Sequence, residues 1–118
     1  DVTIVTSRAE LCGHNSDLRE AFDLVVSRAV AQIRVVLEYT LPLCKVGGQV
    51  VLPKKGDITA ELAAAREASI QLGGSVIETA GIPNNIFDDQ RLLVSVRKVH
   101  NTPDRYPRAP GVPSKRPL

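Results

Sequence analysis

The sequence predicts an open α/β sheet, and three features of the 118-residue chain indicate it. Short apolar segments alternate with segments of helical spacing, in the order β–β–α–β–α–β–β. Helices placed between strands are typical of open, mostly parallel sheets. The last two strands are joined by a loop and not by a helix, which predicts that the last strand is antiparallel to its neighbours.

The first half of the chain carries two strand signals and one helix signal. Val2–Thr6 is short and β-branched, and Phe22–Ser27 is a compact apolar run of the kind buried in parallel sheets. Apolar side chains then recur every three or four positions, which predicts a helix over about Ala29–Leu41. Pro42 predicts the end of that helix, because proline disrupts helical hydrogen bonding.

The second half continues the alternation. Gly47–Gly48 predicts a turn, followed by a strand at Gln49–Leu52. Asp57 is a favourable N-cap for a helix over about Ile58–Leu72. One face of that helix carries small side chains, which predicts close packing to a sheet. The members of that face are Leu62, Ala65, Ser69 and Leu72.

The remaining segments divide the chain into a body and a tail. Strands are predicted over Val76–Ala80 and Leu92–Val99, with a polar loop at residues 81–90 between them. Residues 100–118 contain five of the eight prolines and are expected to be extended and poorly helical. The body is therefore residues 1–99, and residues 100–118 form a basic, proline-rich tail.

Composition is that of an ordinary globular protein, with 43% hydrophobic and 24% charged residues. The chain has no Met and opens on a strand-like segment, which favours a fragment of a longer protein. Cys12 and Cys44 lack CxxC spacing, so we expect free thiols in a reducing cytoplasm, with no disulfide and no metal site. No apolar run is long enough to span a membrane.

Charge is uneven along the chain, whose formal net charge is +2. The tail carries a balance of +3, which leaves −1 for the body. A weakly acidic body with a basic tail favours a polyanionic partner such as nucleic acid. A solvated tail with no partner is the alternative, and charge alone does not decide between them.

Two polar segments directly follow the first two predicted strands, Ser7–Glu10 and Ser27–Ala31. Because ligands of open α/β sheets bind outside the carboxyl ends of strands, both segments are candidates for lining a cleft. Arg28 stands near a predicted helix start, where the helix dipole disfavours a cation. The alternative is that Glu10 simply begins a helix and Arg28 is a surface charge.

These segments resemble the RsmG/GidB family. The family pattern of Arg-Ala-Glu, followed by Phe-Asp-x-Val-x-Ser-Arg-Ala-Val-Ala, is matched by Arg8–Glu10 and Phe22–Ala31. The further matches are Glu38–Tyr39, Leu41–Leu43, Gly47–Gly48, Lys55–Gly56, Leu72–Gly74, Arg91–Val94 and, in the tail, Tyr106–Arg108, Gly111, Pro113, Lys115 and Pro117–Leu118. Each piece is short, but the ordered set is specific and spans nearly the whole chain.

The resemblance implies a partial class I methyltransferase (Rossmann-like) sheet, in which this chain supplies the third to seventh strands. The first two strands lie between the third and fourth in the family's sheet, and neither they nor the Gly-rich cofactor loop have a counterpart here. The implied activity is S-adenosylmethionine-dependent methylation of guanine N7 in small-subunit (16S) ribosomal RNA. The fragment alone is expected to be inactive, and its unpaired strand edges predict self-association as one outcome.

The resemblance also implies site residues. Ala9 and Glu10 match positions that border the cofactor's adenine, and Arg28 matches a cofactor-site arginine. No residue is assigned a catalytic role, because guanine N7 is already an unprotonated acceptor. The residues expected to contact RNA are Arg8, Lys54, Lys55, Arg105, Arg108, Lys115 and Arg116. Lys54 doubles the family's single lysine before glycine, so Lys55 is the matched residue and either could act.

Two other functions stay open at this stage. The chain could be a non-catalytic RNA-binding module that acts through its basic tail, or a small α/β ligand-binding domain with no nucleic-acid role. A Gly-rich loop directly upstream in the full gene product would favour the methyltransferase. RNA retention that disappears on deletion of residues 100–118 would favour the RNA-binding module.

Overall fold

The computed structural model describes residues 2–28, 31–82 and 91–118. Within these residues, four strands form one sheet in the order β1–β2–β4–β3. The strands are β1 (Phe22–Val26), β2 (Cys44–Lys55), β3 (Glu78–Ile82) and β4 (Arg91–Arg97). The helices are α1 (Ala9–Cys12), α2 (Ile33–Thr40), α3 (Thr59–Gln71) and α4 (Val112–Lys115), and a 3-10 turn covers Leu41–Leu43.

The strand directions confirm the predicted α/β class. β1 and β2 are parallel, whereas β4 is antiparallel to both β2 and β3. β1, β2 and β3 therefore run in one direction and only the last strand is reversed. The predicted antiparallel pairing of the last two strands is confirmed.

The core lies between one face of the sheet and the helices α2 and α3. Val50 and Leu52 of β2 and Val94 and Val96 of β4 are buried, and they pack in one cluster with side chains from both helices. The small-residue face predicted for α3 is confirmed, since its members are buried or packed against this cluster. The helical members of the cluster and its border are Ile33, Val36, Leu37, Leu62 and Ala65.

Side chains from neighbouring segments set the starts of α2 and α3. The Asp57 carboxylate accepts hydrogen bonds from the backbone N–H of Thr59 at 3.0 Å and from its hydroxyl at 2.7 Å. The prediction of Asp57 as the N-cap was wrong by one residue, because α3 begins at Thr59 and its N-cap is Ile58. The predicted start of the other helix at Ala29 was wrong, because Ala31 and Gln32 are not helical and α2 begins at Ile33. Residues 29–30 lie outside the described residues.

The glycine pair predicted as a turn lies inside β2, so that prediction was wrong. Gly47 has a φ of 92°, and the pairing of β1 with β2 shifts register between Phe22 and Leu24. A Cβ on Gly48 would lie 2.5 Å from the carbonyl oxygen of Asp23. The glycines therefore allow the strands to approach closely at an irregular point of the ladder.

Two strand boundaries also differ from the prediction. The predicted strand Val76–Ala80 was placed too early, because β3 covers Glu78–Ile82. Gly81 and Ile82 therefore belong to the strand, and the rest of the predicted loop, residues 83–90, lies outside the described residues. The final strand ends at Arg97, two residues before the predicted end.

The second face of the sheet and the β1 edge are open in the described residues. Leu24 and Val26 on β1 and Leu93 on β4 are exposed. Val2–Thr6, which the sequence predicted as a strand, forms none and is exposed along its length. That prediction was wrong for this chain, because a β-branched segment becomes a strand only when a neighbouring strand accepts its hydrogen bonds.

Candidate functional site

Glu10, one of the two residues predicted to border the cofactor, is buried. Its side chain is 4% exposed, and Oε2 accepts hydrogen bonds from Nη2 of Arg8 at 2.9 Å and from the backbone N–H of Gly111 at 2.9 Å. Burial alone would raise the pKa of this carboxyl, but the hydrogen bonds from Gly111 and Arg8 outweigh it and hold the pKa below its usual value. Glu10 is therefore a charged group that joins two chain segments 101 residues apart.

A second group of charges fixes the chain just before β1. The guanidinium of Arg19 donates to four backbone carbonyls, those of Gly13 at 2.8 Å, Tyr106 at 2.7 Å, Thr102 at 3.0 Å and Pro103 at 3.1 Å. Three of these four acceptors lie in residues 100–118. One side chain from the body thus holds a long stretch of the predicted tail.

Lys98 and Glu20 complete this second group. Nζ of Lys98 is fully buried, lies 3.0 Å from Oε2 of Glu20, and donates to the carbonyls of Leu41 at 2.7 Å and Cys44 at 2.8 Å. Burial lowers the pKa of Lys98. Burial acts to raise the pKa of Glu20, but the N–H of Thr102 and the Lys98 ammonium together lower it.

Glu38 and Arg108 form the third connection between body and tail. Glu38 is fully buried and accepts from the backbone N–H of Arg108 at 2.7 Å and from its Nη2 at 2.8 Å. The hydrogen bonds that Arg108 donates to Glu38 raise the pKa of Arg108. The guanidinium of Arg108 is thus used within the fold, and a contact of this residue with RNA stays a prediction.

Residues 100–118 consequently pack against the body, with the side chains of Tyr106 and Pro107 buried. We expected residues 1–20 to be loosely held or re-paired without the first two strands. That expectation was wrong for residues 8–20, because Glu10, Arg19 and Glu20 anchor them. Val2–Thr6 is exposed and forms no strand, and its loose attachment stays a prediction.

The other predicted residues lie at the carboxyl edge of the sheet. Because β1 and β2 are parallel, Arg28 beyond β1 and Lys54–Lys55 at the end of β2 share this edge. Lys54 is largely buried, and its Nζ lies 2.7 Å from Glu61 and 3.3 Å from the carbonyl of Ala31. Glu61 also accepts the N–H of Ile33 at 2.8 Å, so Lys54 supports the start of α2 through it.

An open groove of about 750 Å³ lies beside this ion pair. It runs between the starts of α2 and α3, and the polar side chains that line it carry both signs of charge. Those side chains are Gln32, Arg34, Lys54, Asp57 and Glu61.

The structure brings some predicted residues together and keeps others apart. Arg8, Ala9 and Glu10 lie with the tail beside the C-terminal part of α2, close enough that the charge of Glu10 adds to burial in raising the pKa of Tyr39. Arg28 precedes the start of the same helix. In the described part of the chain, no hydrogen bond or ion pair joins Arg28 to Glu10.

Three cations of residues 100–118 are exposed. Lys115 and Arg116 are exposed at the end of α4, the helix that begins directly after Gly111. Arg105 is exposed, with its guanidinium 4.8 Å from the centre of the Tyr106 ring. Arg105, Lys115 and Arg116 are therefore open to solvent, and their contact with RNA stays a prediction.

The chemistry of the predicted cofactor residues can be tested against S-adenosylmethionine. The Glu10 carboxylate is turned inward and used by Arg8 and Gly111, so this pair of residues can border an adenine only through its backbone and the small side chain of Ala9. The exposed guanidinium of Arg28 suits the cofactor's carboxylate. The residues fit one side of the cofactor.

Several residues that the site depends on were missed by sequence reasoning. Arg19, Glu20 and Lys98 had no assigned role, and Glu38 was noted only as part of a motif. Their partners are backbone and side-chain groups distant in sequence, and no spacing rule reveals such pairs. Among the described residues no cluster of His, Cys, Asp or Glu could hold a metal ion, and no described helix is long and apolar enough to cross a membrane.

Comparison with known proteins identifies the family of this α/β chain. The sequence model described as rRNA small subunit methyltransferase G, GidB, matches residues 1–92. The chain belongs to this family. It is similar to the ribosomal RNA small subunit methyltransferase G of Lactobacillus johnsonii, with 50% identity over 117 residues that cover 99% of this chain and 49% of that protein.

A second relative gives the same picture. The ribosomal RNA small subunit methyltransferase G of Roseiflexus castenholzii is 47% identical over 120 residues, which cover 100% of this chain and 50% of that protein. The chain thus spans about half the length of the curated relatives it matches.

Proposed function

We propose that this chain is the C-terminal part of an enzyme that methylates small-subunit ribosomal RNA at guanine N7 with S-adenosylmethionine. The observation that carries the proposal is the parallel pairing of β1 with β2, which puts Arg28 and Lys54–Lys55 at one carboxyl edge of the sheet. Ligands of open α/β sheets bind at this edge. Membership of the methyltransferase G family supplies the reaction that such an edge would serve.

The open parts of the fold support the same assignment. A class I methyltransferase sheet without its first two strands would leave β1 as an edge and Val2–Thr6 without a neighbour. Both features are present in the described residues. The exposed apolar side chains of Leu24 and Val26 are then accounted for as a surface that further chain would cover.

The proposed reaction requires the protein to bind and orient the cofactor and the RNA. S-adenosylmethionine, when bound, supplies an electrophilic methyl group. Guanine N7 presents a lone pair and carries no proton, so no general base is needed. Arg28 would hold the cofactor, and the edge lysines would help orient the RNA, so that proximity provides the rate increase.

RNA affinity is expected to come from cations that the fold leaves exposed. Arg105, Lys115 and Arg116 are the tail candidates, whereas Arg108 is paired with Glu38. The three exposed cations would contact phosphates without reading sequence. Arg8 and Lys54 are each engaged by a carboxylate, so a role of either in RNA binding requires that ion pair to be shared or broken.

The test uses a full-length chimera in which this chain replaces the matching half of the Lactobacillus johnsonii relative. Arg28→Ala removes one charge-assisted contact worth about 1.5–3 kcal/mol, so cofactor affinity and methylation should each fall roughly tenfold to hundredfold. The melting temperature should stay unchanged. Arg66→Ala on the exposed side of α3 is the matched control, and equal loss in both variants would reject the assigned role of Arg28.

Salt dependence separates this function from a non-catalytic RNA-binding module. Replacing Arg105, Lys115 and Arg116 by Gln should reduce the slope of log affinity against log salt by roughly 2, at about 0.7 per phosphate contact. The methyltransferase retains turnover at saturating RNA after this change. A chimera that binds RNA through these residues but never methylates it would favour the binding module.

A further inference from the structure

The C-terminal segment supplies a backbone donor to the residue that borders the proposed cofactor site. The N–H of Gly111 lies 2.9 Å from Oε2 of Glu10, an atom that also accepts from Arg8. Glu10 is nearly inaccessible, so its carboxylate faces the protein and not a ligand. What this carboxylate fixes is the backbone at Ala9–Glu10.

We propose that Gly111 is a positioning residue for the cofactor, holding the Ala9–Glu10 backbone in place through the Glu10 carboxylate. The inference rests on the proposed function, in which that backbone borders the adenine. It assigns residues 100–118 a role beyond RNA contact, because their removal would loosen the cofactor border itself.

The local geometry suits a fixed donor. Gly111 has a φ of 87°, a left-handed conformation that turns the chain into α4. The segment before it is anchored at Arg108, which pairs with the buried Glu38. The Gly111 donor is therefore fixed relative to α2, the helix against which α1 also packs. Because the donor is a backbone N–H, it does not depend on the position of a flexible side chain.

The charge on Glu10 makes this contact strong. A hydrogen bond to an ionised acceptor is stronger than one between neutral groups. Losing the donor would leave a buried carboxylate with Arg8 alone, and α1, only four residues long, has little else to hold its start. A shift at Ala9 and Glu10 is the expected response.

Two substitutions at Gly111 test the donor. Gly111→Pro removes the N–H and also moves φ away from 87°, because the proline ring holds φ near about −65°. The Glu10 variants described below leave Gly111 intact and separate the two effects. Gly111→Asn keeps the N–H, tolerates the left-handed conformation and meets no atom within 4 Å of its Cβ. In the chimera, Gly111→Pro should raise the Kd for S-adenosylhomocysteine, measured by calorimetry, about tenfold or more. Gly111→Asn should change it less than about twofold.

Substitutions at Glu10 test the acceptor independently. Glu10→Gln keeps an oxygen for Gly111 without the charge and should lose less affinity than Glu10→Ala, which should lose it about as fully as Gly111→Pro does. Combining Glu10→Ala with Gly111→Pro should raise the Kd little beyond either single change, because both changes break the same contact between Gly111 and Glu10. If Glu10→Gln loses as much as Glu10→Ala, the carboxylate acts on the cofactor directly and the proposal is wrong.

Hydrogen exchange in the 118-residue chain gives a readout without cofactor. Gly111→Pro should speed exchange at the Leu11 and Cys12 amides, which donate to Arg8, and leave the Val50–Leu52 amides unchanged. Unchanged exchange at α1, or unchanged affinity in a chimera that binds the cofactor, overturns the positioning role. A chimera of unaltered sequence that fails to bind the cofactor overturns the proposed function instead, and this inference with it.

Discussion

The two ends of the described chain reverse what their sequences suggest. Val2–Thr6 has the composition of a strand, yet it pairs with nothing and Ile4 is 86% exposed. Residues 100–118 are rich in proline and charge, yet they pack against the body and bury Tyr106. Propensity describes what a segment can become, whereas the available partners decide what it does become.

The difference comes from where the backbone groups find partners. A strand needs a row of donors and acceptors from a neighbouring strand, and Val2–Thr6 has none in the described chain. The C-terminal segment needs no neighbouring strand, because charged side chains of the body form individual hydrogen bonds with its backbone groups. Arg19 meets three of its carbonyls, and Glu10, Glu20 and Glu38 each accept one of its N–H groups.

Deleting residues 102–118 should be the most damaging way to test this comparison. The deletion removes Tyr106 from the core and leaves the buried Glu38 unpaired, and each loss costs about 3–5 kcal/mol. We expect the chain to lose most of its unfolding free energy in urea denaturation. Deleting residues 1–6 is the matched control and should change it by less than about 0.5 kcal/mol. A stable, cooperative body without residues 102–118 would contradict this account of the C-terminal segment.

A smaller effect should follow from a single side chain. Arg19→Ala removes one cation from four carbonyls and should lower the unfolding free energy by about 2–3 kcal/mol. Arg66, which is exposed on α3, is the matched control, and its replacement by Ala should cost less than about 0.5 kcal/mol. Equal costs for the two variants would show that Arg19 does not hold the segment.

Acid should loosen the same contacts. The pKa values of Glu10 and Glu20 are both lowered in the fold, so their contribution to stability is complete above the unfolded value of about 4.3 and is lost as pH falls through the folded values. The Gly111 and Thr102 amides should therefore exchange faster, relative to the sheet amides, below about pH 4. The Glu10→Gln, Glu20→Gln double variant should show a flatter dependence. An identical pH profile in that variant would assign the acid response to other carboxyls.

The sequence predicted the sheet well and its polar contacts poorly, for one physical reason. The alternation of strands with helices is a local pattern that needs only neighbouring residues to be recognised. The burial predicted for the apolar run of β1 was wrong, because four of its five residues are exposed. The contact of Glu10 with Gly111 joins positions 101 residues apart, and that of Arg108 with Glu38 joins positions 70 apart. Such partners come together only in the assembled fold, so none of these four residues carries a local sequence signal of its role.

The smallest effect is expected at the other end of the chain. Ile4→Lys places a charge in a segment that is already exposed, so the unfolding free energy of the 118-residue chain should change by less than about 0.5 kcal/mol. In the full-length chimera, where the proposed first strands would pair with Val2–Thr6, the same change should cost about 2 kcal/mol or more, because it would bury an unpaired ammonium. Amide exchange gives the matching readout, fast at Val2–Thr6 in the short chain and slow in the chimera. If these amides are already as protected as those of Val50–Leu52 in the dilute short chain, then Val2–Thr6 has a partner within it, and the contrast between the two ends would have to be abandoned.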